Sequence, residues 1–277
     1  MAIDRQKLRK EHICAGRGTA AELMADLATI RTRENHLKRW ARLIRWVALA
    51  VFLAFAAAAV IVNDDFIFGA VFAPVILLAG AAFVAPPAVS HDRVEFLRLV
   101  LNMLNQDAGQ RGRFEVLLRL RSKPEKASQG PNPRAPGGTQ TFLRDSWLSL
   151  AGSLSDGTSI SESCIDLIRW RTKKNPRGKQ KRKERRICLL RVQLDYNSGK
   201  YGDAAVAARV LENPFRLPDG AEVKAFSSTD KALAIKMALK GTPTPASLHA
   251  ANQAMLLGAY RILNLARRRA LATGGAR

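Results

Sequence analysis

Residues 158–194 read TSISESCIDLIRWRTKKNPRGKQKRKERRICLLRVQL, two strands and the turn that joins them. On the second strand Cys188, Leu190, Val192 and Leu194 occupy alternate positions, the period-2 pattern of a half-buried strand. The first strand runs from Thr158 to about Arg171. Between them, Asn175-Pro176-Arg177-Gly178 has Asn at i, Pro at i+1 and Gly at i+3, the residues a type I turn favours at those places. Upstream, Leu148, Leu150 and Leu154 alternate with small residues and serines as far as Asp156-Gly157, a pair that tolerates positive φ and suits a tight hairpin. Three strands in series make an antiparallel meander. The domain is expected to be built round it, open or closed into a small barrel, and flanked by helices.

Working outward, Phe114–Arg121 alternates apolar even positions with mostly charged odd ones and reads as a further strand. Before it, Ser90 caps a helix opened by His91-Asp92-Arg93, with Val94, Leu97, Leu101 and Leu104 along one stripe and Gly109 and Gly112 closing it. Residues 122–141 are rich in Pro, Gly and small polar residues without periodicity, which predicts a flexible loop. Beyond Tyr196 the pattern predicts a short helix over Ala204–Leu211, a strand over Ala221–Phe226, and a helix capped by Ser228, running to Leu239 and closed by Gly241. A last long helix opens at Thr244-Pro245, an N-cap followed by Pro at the first helical position, and ends near Ala272.

Two apolar runs set the expected organisation of the N-terminal third. Trp46–Val62 is 17 residues without a charge, and Phe66–Val89 is a second uncharged run after Asn63-Asp64-Asp65. Roughly 17–25 such residues cross a bilayer as a helix, so 46–62 and 66–89 are expected to form a transmembrane hairpin. Lys38, Arg39, Arg42 and Arg45 precede the first run, and Arg93 and Arg98 follow the second. The positive-inside rule then places both termini in the cytoplasm of a multi-pass protein of a bacterial inner membrane. No ionisable residue lies inside either run, so the hairpin reads as an anchor rather than a transport path. The expected domains are an N-terminal cytoplasmic helix over 1–45, the hairpin over 46–89, and an α+β domain over 90–277. Within 20–45, Leu23, Leu27, Ile30, Glu34, Leu37, Ala41 and Ile44 form an a/d-like seam. It serves either packing on the chain's own domain or self-association.

Charge supplies the functional clue. Lys and Arg number 45 against 23 Asp and Glu, a formal charge of +22, which implies an anionic partner. Between Arg169 and Arg191 there are twelve basic residues and one acid, Glu184. The candidate contacts for an anionic ligand or lipid are Arg171, Lys173, Lys174, Arg177, Lys179, Lys181, Arg182, Lys183, Arg185 and Arg186, on the outer part of the hairpin 169–191. Anionic headgroups would attract such a cluster by about 1 kcal/mol per residue near the surface. Nucleic acid or a nucleotide would take it through phosphate contacts, although only Trp170 interrupts the run as a base-stacking platform.

Enzymatic signals are weak. There is no G-x-S-x-G, P-loop or H-E-x-x-H, and no carboxylate pair beside a histidine. Glu162 and Asp166 alternate along a strand and are expected to neutralise Arg185, Arg186 and Arg191 on its partner. Cys14, Cys164 and Cys188 are scattered and read as buried thiols, with no metal or cofactor site. The expectation is therefore a non-enzymatic, membrane-anchored scaffold or interaction protein whose basic hairpin engages headgroups or an acidic partner. The alternative is a sensor or effector that binds a nucleotide, nucleic acid or other phosphate ligand through its β-domain.

Overall fold

A computed structural model describes residues 3–4, 7–8, 11–61, 90–108, 112–131, 138–174, 179–211 and 214–274. The chain divides into two compact units, Met1–Met24 with Ser90–Arg277, and Ala25–Val89. In order, the elements are β1 (Ile13–Thr19), α1 (Ala20–Ile61), α2 (His91–Ala108), β2 (Arg113–Arg119), β3 (Glu125–Pro131), β4 (Thr139–Ser153), β5 (Ser159–Lys174), β6 (Gln180–Asp195), the single turn α3 (Ser198–Tyr201), α4 (Ala204–Val210), β7 (Ala221–Ser228), β8 (Ala232–Lys240) and α5 (Pro245–Gly274).

The strands form one antiparallel sheet in the order β1-β2-β4-β5-β6-β8-β7, with β3 paired to the outer half of β4. Its end strands, β1 and β7, do not pair with each other, so the sheet is open and the barrel alternative does not hold. Period-2 alternation sends one set of side chains to each face. Phe114, Val116 and Leu118 of β2, Ile160 and Cys164 of β5, Cys188, Leu190, Val192 and Leu194 of β6, and Leu233, Ile235 and Met237 of β8 are buried. Helices α2 and α5 cover that face. Phe96 of α2 meets Trp147 of β4 edge to face at 5.8 Å between ring centroids, and Asn252 of α5 bonds Glu162 of β5. Along α5 the buried positions Leu248, Ala251, Met255, Ala259, Ile262 and Ala266 are three or four apart, the spacing of one helical face. Each fully buried leucine or isoleucine contributes about 1.5–3 kcal/mol, so this single layer is the core of the unit.

A bulge in β4 matters for the site. Ser146 pairs with Ile165 and Leu148 with Cys164, leaving Trp147 as one extra residue. Trp147 and Leu148 are both buried although they are consecutive. At the inner end of the sheet, Gly157 holds φ +85° in the turn to β5, and Thr158 donates its N–H to Asp156 Oδ1 at 2.8 Å.

The membrane hairpin is corrected: among the described residues no helix is long and apolar enough to cross a membrane. The reason lies in α1. Thr19 and Glu22 cap it reciprocally, backbone N–H to side-chain oxygen each way, and it is polar over its first half, with Arg39, Arg42 and Arg45 just before the apolar stretch. That stretch begins at Trp46, and the helix as described ends at Ile61. The second expected span, 66–89, lies outside the described residues. The membrane class of the fold, and its placement as a multi-pass inner-membrane protein with cytoplasmic termini, therefore lack their support. Leu23, the first position of the expected seam, is buried within the first unit.

Other elements differ from expectation. Residues 232–240 form strand β8, not the Ser228-capped helix, because Leu233, Ile235, Met237 and Leu239 alternate and are all buried. Glu125–Pro131, within the expected loop 122–141, is extended as β3 and follows the edge of β4 through a bulge. Strand β1 had no counterpart in the sequence reading.

Candidate functional site

The face of the sheet opposite α2 and α5 carries the polar half of each strand. On β5 this face takes Ser163, Ile165, Leu167, Arg169, Arg171 and Lys173. On β6 it takes Lys181, Lys183, Arg185, Ile187, Leu189 and Arg191. Register sets them directly across from one another: Arg169 opposite Arg185, Arg171 opposite Lys183, Lys173 opposite Lys181. Like charges directly opposed on a sheet destabilise it, and here three successive rows are made of them. The rows continue on β4 as Phe142 beside Arg169 and Gln140 beside Arg171, whose Nε donates to Gln140 Oε1 at 2.8 Å.

Nearer the middle of the sheet the same face adds cations from strands distant in sequence. Arg144 of β4 lies in the row of Leu167 and Ile187, with Lys240 of β8 at its far side. Arg191 pairs with Ser163 on one side and Lys236 on the other. Arg144, Ser146, Ser163, Ile165, Leu189, Arg191 and Lys236 join residues of β7 round a cavity of about 470 Å³. Lining drawn from five strands, β4 to β8, makes this face concave. Its lining combines the cations Arg144, Arg191 and Lys236, the hydroxyls of Ser146 and Ser163, and the aliphatic side chains of Ile165 and Leu189.

Of the ten basic residues expected to meet an anion, Arg171, Lys173, Lys181, Lys183 and Arg185 lie together on the open face. Lys174 ends β5, Lys179 precedes β6, and Arg177 is outside the described residues. Arg182 and Arg186 point the other way. Arg182 stacks on Trp170 with its guanidinium carbon 3.2 Å from the ring centroid, and Trp170 Nε1 donates to Glu184 at 3.1 Å. Arg186 lies 3.3 Å from Glu184 and 4.0 Å from Asp166. The sequence reading missed Arg144, Lys236 and Lys240, which only the strand order brings to the groove.

On the covered face, charge is sparse and engaged. Asp145 and Asp166 sit directly opposite each other on β4 and β5, and Arg93 of α2 reaches both, at 2.6 and 3.5 Å. Its other nitrogen donates to the Arg119 carbonyl at 3.0 Å, and Ser122 donates to Asp145 at 2.7 Å. Glu162, expected to face an arginine, instead lies in the core. Among the described residues only the amide of Asn252 donates to it, at 3.2 and 3.3 Å, and burial pushes its pKa up to about 7. Asp166 does approach Arg186 as expected, but Arg185 and Arg191 are on the opposite face.

A third polar cluster lies at the inner end. Burial pushes Asp156 up, but hydrogen bonds from Tyr201, Thr158 and Tyr260 outweigh it and hold its carboxyl below the usual value. This ties the β4–β5 turn to α3 and α5. Cys14, Cys164 and Cys188 are buried and not joined in a disulfide, and burial raises the last two thiols well above their ordinary range. No cluster of three or more metal-ligating side chains occurs among the described residues.

Comparison with protein families, with curated proteins and with solved structures gave no match.

Proposed function

We propose that this chain is a non-enzymatic nucleic-acid-binding protein whose open sheet face receives phosphates. The observation that carries the reading is the stack of three like-charged cross-strand pairs, Arg169/Arg185, Arg171/Lys183 and Lys173/Lys181. Such a stack opposes folding unless an anion lies over it. Rows repeat every two residues, about 6.6 Å, and neighbouring strands lie ~4.8 Å apart. A lattice of that pitch offers sites in series, which suits a polymer of anions better than one isolated anion. Concavity favours a chain laid in a groove over a planar layer of headgroups, the partner first expected from the charge alone. Arg144, Arg191 and Lys236 extend the cationic surface into the cavity.

Binding of this kind depends on salt. Six phosphate contacts to a single strand give a slope of log affinity against log salt of about −4, at ~0.7 per contact. The test uses the full chain and a labelled oligonucleotide of mixed sequence, followed by fluorescence anisotropy over a salt series. Replacing Lys181, Lys183 and Arg185 with glutamine is expected to weaken binding at least ~10-fold at low salt and to flatten the slope by about 2 units. Capture of the protein by vesicles with anionic headgroups, with no binding to nucleic acid, would overturn the proposal.

A further inference from the structure

Resting on that reading, we infer that the occupant of the groove is an unpaired strand whose bases lie on the aliphatic floor. Ile165 and Leu189 are directly opposite each other, and Leu167 and Ile187 are opposite each other in the next row. Four aliphatic side chains on two adjacent strands therefore form one contiguous square on the open face. Leu167 and Ile187 are each 38% exposed, and Phe142, in the row beyond, is 39% exposed. Aliphatic side chains at successive outward positions of β5 and β6 are not required by the core, which lies on the other face.

The surroundings of this square select its occupant. Arg144 and Lys240 bracket the Leu167–Ile187 row on β4 and β8, and Arg191 and Lys236 occupy the row beyond Ile165–Leu189. The groove thus asks for apolar flat surface at its centre and negative charge at its margins. A duplex offers phosphates, but its base faces are stacked inside it, and laying it here would desolvate the floor against nothing apolar. A single strand exposes base faces that pack on apolar side chains, with a backbone that reaches cations on either side. The cavity volume, about 470 Å³, lies in the ~300–1,000 Å³ range of pockets for small groups, a scale that admits splayed bases and not a double helix. Ser146 and Ser163 line the same cavity and supply donors for base edges or sugar hydroxyls.

The experiment compares a labelled 12-nucleotide single strand, its duplex and the corresponding mononucleotides against the full chain, at one salt concentration. The single strand is expected to bind about tenfold more tightly than the duplex, and the mononucleotides far more weakly than either. Leu167→Ser with Ile187→Ser changes exposed positions only. It is expected to remove the preference by weakening the single strand about tenfold while leaving the duplex within twofold. Ile165→Ser serves as the second variant, and circular dichroism confirms the fold of both. Equal affinity for single strand and duplex, or equal losses for both in the variants, overturns the inference while leaving phosphate binding intact. Mononucleotide affinity matching that of the 12-mer also overturns it, in favour of a one-nucleotide pocket. Failure of every nucleic acid to bind overturns the underlying proposal instead.

Discussion

The two faces of the sheet are written on the same strands with the same period, yet they handle charge in opposite ways. On the covered face ionised groups are few and each is held: Arg93 bridges two aspartates, and Asn252 bonds Glu162. On the open face cations are set against cations for three rows. A buried charge without a partner costs several kcal/mol, so the covered face has no freedom to accumulate charge. An exposed cluster costs only tenths of a kcal/mol per pair, so the open face does, and what it accumulates reflects what it meets. Charge on the covered face therefore reports folding, and charge on the open face reports function.

The sharpest way to break this contrast is Arg93→Met. Asp145 and Asp166 would remain buried, directly opposed and without their shared cation, and stability in urea is expected to fall by about 3–5 kcal/mol. Nucleic-acid affinity, measured where the variant is folded, should stay near that of wild type. Next in size is Glu162→Gln. Burial raises the carboxyl of Glu162 from its ordinary value to about 7, so the stability given by its neutral form is complete below about pH 4.5 and is lost as pH rises through about 7. The amide cannot ionise, and its NH₂ can donate to Asn252 Oδ1, which is buried with no hydrogen-bond partner among the described residues. The variant is expected to be more stable than wild type by on the order of 3 kcal/mol above pH 7, with the gap closing toward pH 4.5. Urea melts at pH 5 and pH 8 decide it, and a constant gap would remove Glu162 as the titrating group. The smallest effect sharpens the contrast from the other side. Lys183→Gln relieves one opposed pair and should raise stability at low salt by about 0.2–0.5 kcal/mol, an increment that vanishes in high salt. A loss of stability there would mean that the cation is structural.

The sequence made some of this legible and hid the rest for physical reasons. Strands β2 and β6 announce themselves through alternation, β5 through the turns that flank it, and α5 through Thr244-Pro245 and a long apolar stripe. Strand β8 was hidden because ALAIKMALK is composed of good helix formers, so propensity argued against a period that tertiary packing then enforced. Strand β1, ICAGRGT, holds two glycines and no alternating pattern, and β2 supplies the ordering it lacks. For the site, the concentration of lysine and arginine was visible and its sidedness only partly so. Arg182 and Arg186 share the run with Lys181, Lys183 and Arg185 yet lie on the other face, and Arg144, Lys236 and Lys240 arrive only through strand order.

The extra residue at Trp147 has a consequence for the evolution of this surface. Odd residues of β4 point to the core before it and even residues after it, so the two halves of the strand run in opposite phase. Without that slip, Phe142 and Arg144 would face inward and Asp145 outward, away from Arg93. A deletion of one codon there would turn the outer half of β4 inside out, exposing Leu143 and Asp145 and burying its binding residues, while the inner half stayed as it is. Point substitutions can tune the groove one side chain at a time, but a single-residue change of length in β4 exchanges one surface for the other.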